Sequence, residues 1–160
     1  MLVKGITDED FVNYKLPSMY IATATCSFKC DKEYGSSICQ NSELANQPTH
    51  KINDALIVNR YVRNDITRAI VFGGLEPMDQ FDEVCNLIHI VRDSYHLPDD
   101  IVIYTGYDRN EIEEKVDFLI KNYPNLIIKF GRYIPDQRPH FDSVLGVYLA
   151  SDNQYAERIS

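Results

Sequence analysis

No apolar run among the 160 residues approaches the roughly 20 that a helix needs to cross a bilayer, so a membrane-spanning protein is not expected. The opening segment, Met1-Leu2-Val3-Lys4 followed by Thr7-Asp8-Glu9-Asp10, lacks the apolar core of a secretory signal, and the expectation is a cytoplasmic protein. Positive charge is scarce: 16 Lys and Arg stand against 24 Asp and Glu, a formal net charge of −8. That balance argues against general binding to nucleic acid or to an anionic membrane, and leaves room only for a local basic patch. Internal repeats, linkers and low-complexity tracts are missing as well. Tryptophan is absent, which excludes no class.

What is present is an ordinary globular composition, 44% hydrophobic and 25% charged, in a length that suits one domain over 1–160. The unusual feature is the cysteines. Cys26, Cys30 and Cys39 lie close together and Cys85 stands apart. With no export signal a disulfide framework is not expected, and clustered thiols point to metal binding or chemistry.

The hydrophobic pattern alternates between strand and helix. Met19 to Thr25 reads as a strand of β-branched and aromatic residues. The cysteine segment that follows contains Gly35-Ser36-Ser37 and reads as a loop. Asn53 to Arg63 is helical. Ala69 to Phe72 is a continuous apolar run, as in a buried parallel strand, ended by Gly73-Gly74. Pro77 suits the first position of a helix, whose apolar face holds Phe81, Val84, Cys85 and Ile88; Cys85 is thereby a core residue. Ile101 to Thr105 is the third strand. Asp108 and Glu111 resemble a capping box before a helix with Ile112, Val116, Leu119 and Ile120 on one face. Leu126 to Phe130 is the fourth strand. The tail from Tyr133 is irregular apart from a strand-like run over Val144 to Leu149. Asp8-Glu9-Asp10 reads as a helix start or an exposed turn. Lys129, Arg132, Arg138 and His140 form a local basic segment, read as a solvated loop in preference to a docking site for a partner or a cofactor's carboxylate.

This order gives an α/β fold with a mainly parallel sheet and right-handed crossovers. Ligands of such sheets bind beyond the carboxyl ends of the strands. The four strands run there into Cys26, Gly73-Gly74, Thr105-Gly106-Tyr107 and Gly131-Arg132. Glycine at that edge lets backbone approach a ligand closely. The cysteines and the glycine turns therefore face one pocket. The thiols themselves leave alternatives open. Zinc takes four ligands, and His50 is the available fourth beside Cys26, Cys30 and Cys39. An iron–sulfur cluster held by three thiolates keeps one iron free for a ligand. Purely structural thiols are the third reading. Thr105 bonds either a ligand or its own strand end, and Lys29 either raises a cluster's potential or is an exposed loop lysine.

The ordered set of motifs resembles a known family. Cys26-Ser-Phe-Lys-Cys30 looks like the C-x₃-C that opens the cysteine motif of the radical S-adenosylmethionine superfamily, and Ile38-Cys39-Gln-Asn41 looks like its end. Gly73-Gly74-Leu75-Glu76-Pro77 resembles the family's G-G-E-P turn. Ile103-Tyr-Thr-Gly-Tyr107, Gly131-Arg-Tyr133 and Ser151-Asp-Asn-Gln154 are similar to segments of one short branch, the activating enzymes of anaerobic (class III) ribonucleotide reductase. Two features depart from the pattern. Eight residues, Asp31 to Ile38, stand between the second and third cysteines where the family has two, and Leu75 is an extra residue inside G-G-E-P.

The resemblance implies a minimal, partial (β/α) barrel. It implies a 4Fe–4S cluster on Cys26, Cys30 and Cys39, with S-adenosylmethionine on the fourth iron and in contact with Ile38, Gly73, Gly74, Glu76 and Thr105. The implied activity is reductive cleavage of S-adenosylmethionine to a 5′-deoxyadenosyl radical that makes a glycyl radical on the large anaerobic ribonucleotide reductase subunit. Its implied partners are that subunit, an electron donor such as flavodoxin or ferredoxin, and a second copy in a homodimer. The alternatives are a radical enzyme with a small-molecule substrate and a non-enzymatic, zinc-stabilised binding module.

Overall fold

The computed structural model describes residues 1–160. Strand β1 (Leu2–Asp10) runs antiparallel to β2 (Ser18–Thr23). The cysteine segment follows and folds as two short helices, α1 (Lys29–Tyr34) and α2 (Ser42–Ala45). The two-residue strand β3 (His50–Lys51) pairs with β1. Then come α3 (Asp54–Val62), β4 (Ala69–Gly74), α4 (Phe81–His89), β5 (Asp100–Tyr104), α5 (Glu113–Asn122) and β6 (Leu126–Phe130). The tail forms a hairpin of β7 (His140–Asp142) and β8 (Val147–Leu149), and ends in β9 (Tyr155–Arg158).

One seven-stranded sheet has the order β3-β1-β2-β4-β5-β6-β9. Its centre, β2-β4-β5-β6, is parallel, as the apolar runs and intervening helices require. Its flanks, β3-β1-β2 and β6-β9, are antiparallel. The sheet is mixed and open, with β3 and β9 as edges rather than a closed barrel. Four strands, β1, β3, β7 and β9, lie where the sequence reading has none, and the cysteine segment read as a loop carries α1 and α2. Leu2–Asp10 is a strand, so Asp8-Glu9-Asp10 is neither a helix start nor a turn; Asp10 is buried and its carboxylate accepts from Asn13 N and Nδ2 at 3.0 and 3.1 Å. Tyr155–Arg158, read as irregular tail, pairs with β6. The run over 144–149 is a strand only at Val147–Leu149, and it belongs to the separate hairpin.

Alternation along the strands feeds two cores. Ile70, Phe72, Ile101, Ile103, Ile128 and Phe130 face α3, α4 and α5, meeting Ile57, Val58, Val84, Leu87, Val116 and Leu119. Cys85 is half-buried against this cluster, as its helical spacing predicts. The helix starts are as read: Asn53 caps α3 by accepting from Ala55 N, and Asp108 and Glu111 form a capping box before α5. On the opposite face Val71, Val102 and Ile127 pack under Tyr14, Leu145 and Leu149. Nearer the carboxyl ends this face carries Tyr20, Tyr104 and Lys129, with Tyr104 and Lys129 side by side in register, and a cavity takes the place of packed core. No helix is long and apolar enough to cross a membrane.

Candidate functional site

The cavity measures about 330 Å³ and lies beyond the carboxyl ends of β2, β4, β5 and β6. Cys26, Cys30, Ile38, Cys39, Gly73, Gly74, Glu76 and Thr105 all line it. His50 does not, since it sits exposed on β3 beside Val3.

Cys26 follows β2 and is fixed by the connection between β4 and α4. Ala24 N donates to Gln80 Oε1 at 3.0 Å, Glu76 N to Thr25 O at 2.9 Å and Ser27 N to Asp79 Oδ2 at 2.6 Å. Phe28 N donates to Cys26 Sγ at 3.2 Å, from a backbone in the left-handed region. Cys30 lies in α1. The segment then returns to Cys39, where Asn41 Nδ2 donates to Gly74 O at 2.6 Å and so ties the third cysteine to the glycine turn. Burial pushes the Cys26 and Cys30 thiols up to about 11, with the neighbouring Cys39 adding to the effect on Cys30. Both are neutral thiols unless a cation displaces the proton, as metal binding does.

Glu76 is buried at 7% exposure, which pushes its carboxyl up. Three donors satisfy it: Thr105 Oγ1 at 2.7 Å, Gly106 N at 2.8 Å and Met78 N at 3.0 Å. It ties the end of β4 to the end of β5 and caps the 3₁₀ turn Pro77–Gln80 before α4. Thr105 also accepts from Tyr107 N at 3.0 Å, so its hydroxyl serves the strand end. The chain itself demands Gly74, whereas Gly73 has only the Tyr20 side chain close to it. A Cβ on Gly73 would stand 2.6 Å from the Tyr20 hydroxyl oxygen. Gly74 has φ +83, and a Cβ there would stand 2.8 Å from Ala22 Cα.

Sequence reasoning missed two features. Lys129 is not in a solvated loop. It is buried at 7% exposure, lines the cavity, and donates to Gly131 O at 2.7 Å with no carboxylate in contact. Burial brings its ammonium down to about 8. Arg132 is also not free: it bonds Glu111 at 2.8 Å and Glu33 of α1 at 3.2 Å, over the ring of Tyr107. Lys29 joins this group through Glu111 and through the other contact with Tyr107, and Arg132 and Lys29 hold the Glu111 carboxyl down at about 2. The network clamps α1 onto the ends of β5 and β6. Its partners are too far apart in sequence for any local pattern to reveal them.

The donor set fits an iron–sulfur cluster. Three thiols at one cavity suit a cluster, because each then meets a different iron and a fourth iron is left for another ligand. The sequence matches the family described as "4Fe-4S single cluster domain" over residues 18–145. No curated protein and no solved structure matches it. The match runs from the first residue of β2 to the turn between β7 and β8 and takes in all three cavity cysteines, so the chain belongs to the 4Fe-4S single cluster domain family.

Proposed function

We propose that this protein is a radical S-adenosylmethionine enzyme that activates a large anaerobic ribonucleotide reductase by generating a glycyl radical on it. The observation that carries the reading is that Cys26, Cys30 and Cys39 share one cavity with the Gly73-Gly74, Glu76 and Thr105 strand ends. In this reading Cys26, Cys30 and Cys39 would hold the cluster, and S-adenosylmethionine would bind beside it in the same cavity. When bound, cluster and cofactor supply a one-electron cleavage and with it a radical able to abstract a hydrogen atom.

The chain's own residues have separate tasks. Glu76, with its oxygens already engaged, orients Thr105 and Gly106 rather than meeting a ligand alone. Gly73 and Gly74 present backbone to the cavity. The Lys129 ammonium gives the cavity a buried positive charge complementary to a carboxylate. Tyr20, Tyr104 and Leu149 line the inner wall and limit water there. Val12 and Tyr148 line the cavity and yet are 75% and 74% exposed, so it reaches the surface. Its volume is at the low end for small-molecule sites, about 300–1,000 Å³, leaving little space beside one cofactor. Both points favour a substrate carried by another protein; the flavodoxin or ferredoxin donor and the homodimer belong to the proposal through the resemblance alone.

The test is anaerobic reconstitution with iron and sulfide, followed by dithionite and S-adenosylmethionine. The reading predicts about four irons per chain and formation of 5′-deoxyadenosine. Loading with a single zinc, or a loaded cluster that yields no 5′-deoxyadenosine, would contradict it.

A further inference from the structure

The eight residues between Cys30 and Cys39 fold around one side chain. Asp31, in the first turn of α1, accepts from Ile38 N and from Cys39 N, both at 2.9 Å and both on Oδ1. Its backbone carbonyl accepts from Gly35 N at 3.0 Å, where Gly35 turns the chain at φ 75. The residue therefore closes the excursion twice, at its apex through the main chain and at its return through the side chain. Cys30 Sγ lies 3.9 Å from the same Oδ1, so one carboxylate oxygen stands beside the Cys30 thiol and the Cys39 main chain.

We infer that Asp31 is the positioning residue that brings Cys39 back to Cys30 and makes it usable as the third iron ligand. The inference rests on the three-cysteine reading above and goes beyond it, because it concerns a segment in which this chain departs from the pattern it resembles. An acceptor for two N–H donors, one of them on the ligand residue itself, is what a ligand-orienting partner of a metal site supplies. The carboxylate adds a negative charge next to the Cys30 sulfur, and net charge near a cluster sets its reduction potential. The charge makes the cluster harder to reduce, while the two hydrogen bonds set where Cys39 stands. The two roles are separable by substitution.

The experiment compares wild type, Asp31→Asn, Asp31→Ala and Cys39→Ala after anaerobic reconstitution. It reads iron and sulfide per chain, the rate of iron loss to a chelator, and the midpoint potential. Thermal melting of the unloaded proteins checks that each variant folds. Asp31→Ala is expected to lose iron about 10- to 100-fold faster than wild type. Asp31→Asn keeps an oxygen acceptor, so it is expected to hold iron like wild type and to shift the potential upward. Wild-type retention and wild-type potential in both Asp31 variants would overturn the inference while leaving the cluster reading intact. A wild type that takes up no cluster would instead overturn the cluster reading, and this inference with it.

Discussion

At the scale of single residues, Lys129 is the side chain that opposes folding most visibly. Its ammonium is buried with one carbonyl acceptor and no carboxylate in contact. The lowering from 10.5 to about 8 corresponds to about 3 kcal/mol against the protonated folded form. The unfolded chain binds this proton more firmly than the folded one. The contribution is therefore constant below pH 8, and stability recovers as pH rises from about 8 to 10.5. Lys129→Met, which removes the charge and keeps the length, is expected to be more stable than wild type at pH 7 by up to about 3 kcal/mol. The gap should shrink by pH 10. Urea denaturation of both proteins at the two pH values checks this, and a gap that does not change with pH would contradict it. The residue was illegible in the sequence for a physical reason. The sequence places Lys129 in the fourth strand, but that its side chain lies on the covered face, beside Tyr104 and against Gly131 O, depends on the assembled sheet.

At the scale of elements, the strand ends decide the site. Gly74 marks the place where β4 leaves the sheet, and its φ of +83 and its distance from Ala22 exclude a side chain whatever the cavity holds. Gly74→Ala is expected to destabilise the unloaded protein by more than about 1 kcal/mol, measured by thermal or urea unfolding without iron or cofactor. Wild-type stability would show that the turn relaxes and that the glycine is there for a ligand alone. The same reasoning weighs the long excursion between Cys30 and Cys39. Going from two residues to eight adds ~1.2 kcal/mol of loop-closure entropy. Each hydrogen bond to an ionised carboxylate is worth about 1.5–3 kcal/mol, so the two bonds to Asp31 offset the added length.

The elements with strong periodicity were legible: the four parallel strands, α4 and α5; so were the capping box at Asp108 and, on a weaker stripe, α3. So was the gathering of Cys26, Gly73-Gly74 and Thr105 at one edge, because parallel pairing forces it. Strands β1 and β9 were not legible. Leu2–Asp10 and Tyr155–Arg158 are flanking strands with exposed, charged residues among the buried ones, and their apolar signal is correspondingly thin. The roles of Glu76 and Arg132 were not legible either, since their partners are 29 and 30 residues away for Glu76 and 21 for Arg132 with Glu111.

At the scale of the whole molecule, an open sheet has one face filled by helices and the other filled only in part. The unfilled part lies where the three thiols, the glycine turn and a buried ammonium meet. The family match spans this arrangement, and the fourth thiol, Cys85, belongs to the helical core instead. The central claim is this division of three cysteines from one. It is tested most directly by changing each cysteine to alanine, reconstituting anaerobically, and counting iron per chain. The account predicts a 4Fe–4S complement in wild type and Cys85→Ala, and loss of most of it in Cys26→Ala, Cys30→Ala and Cys39→Ala. A full complement in Cys39→Ala together with its loss in Cys85→Ala would contradict it.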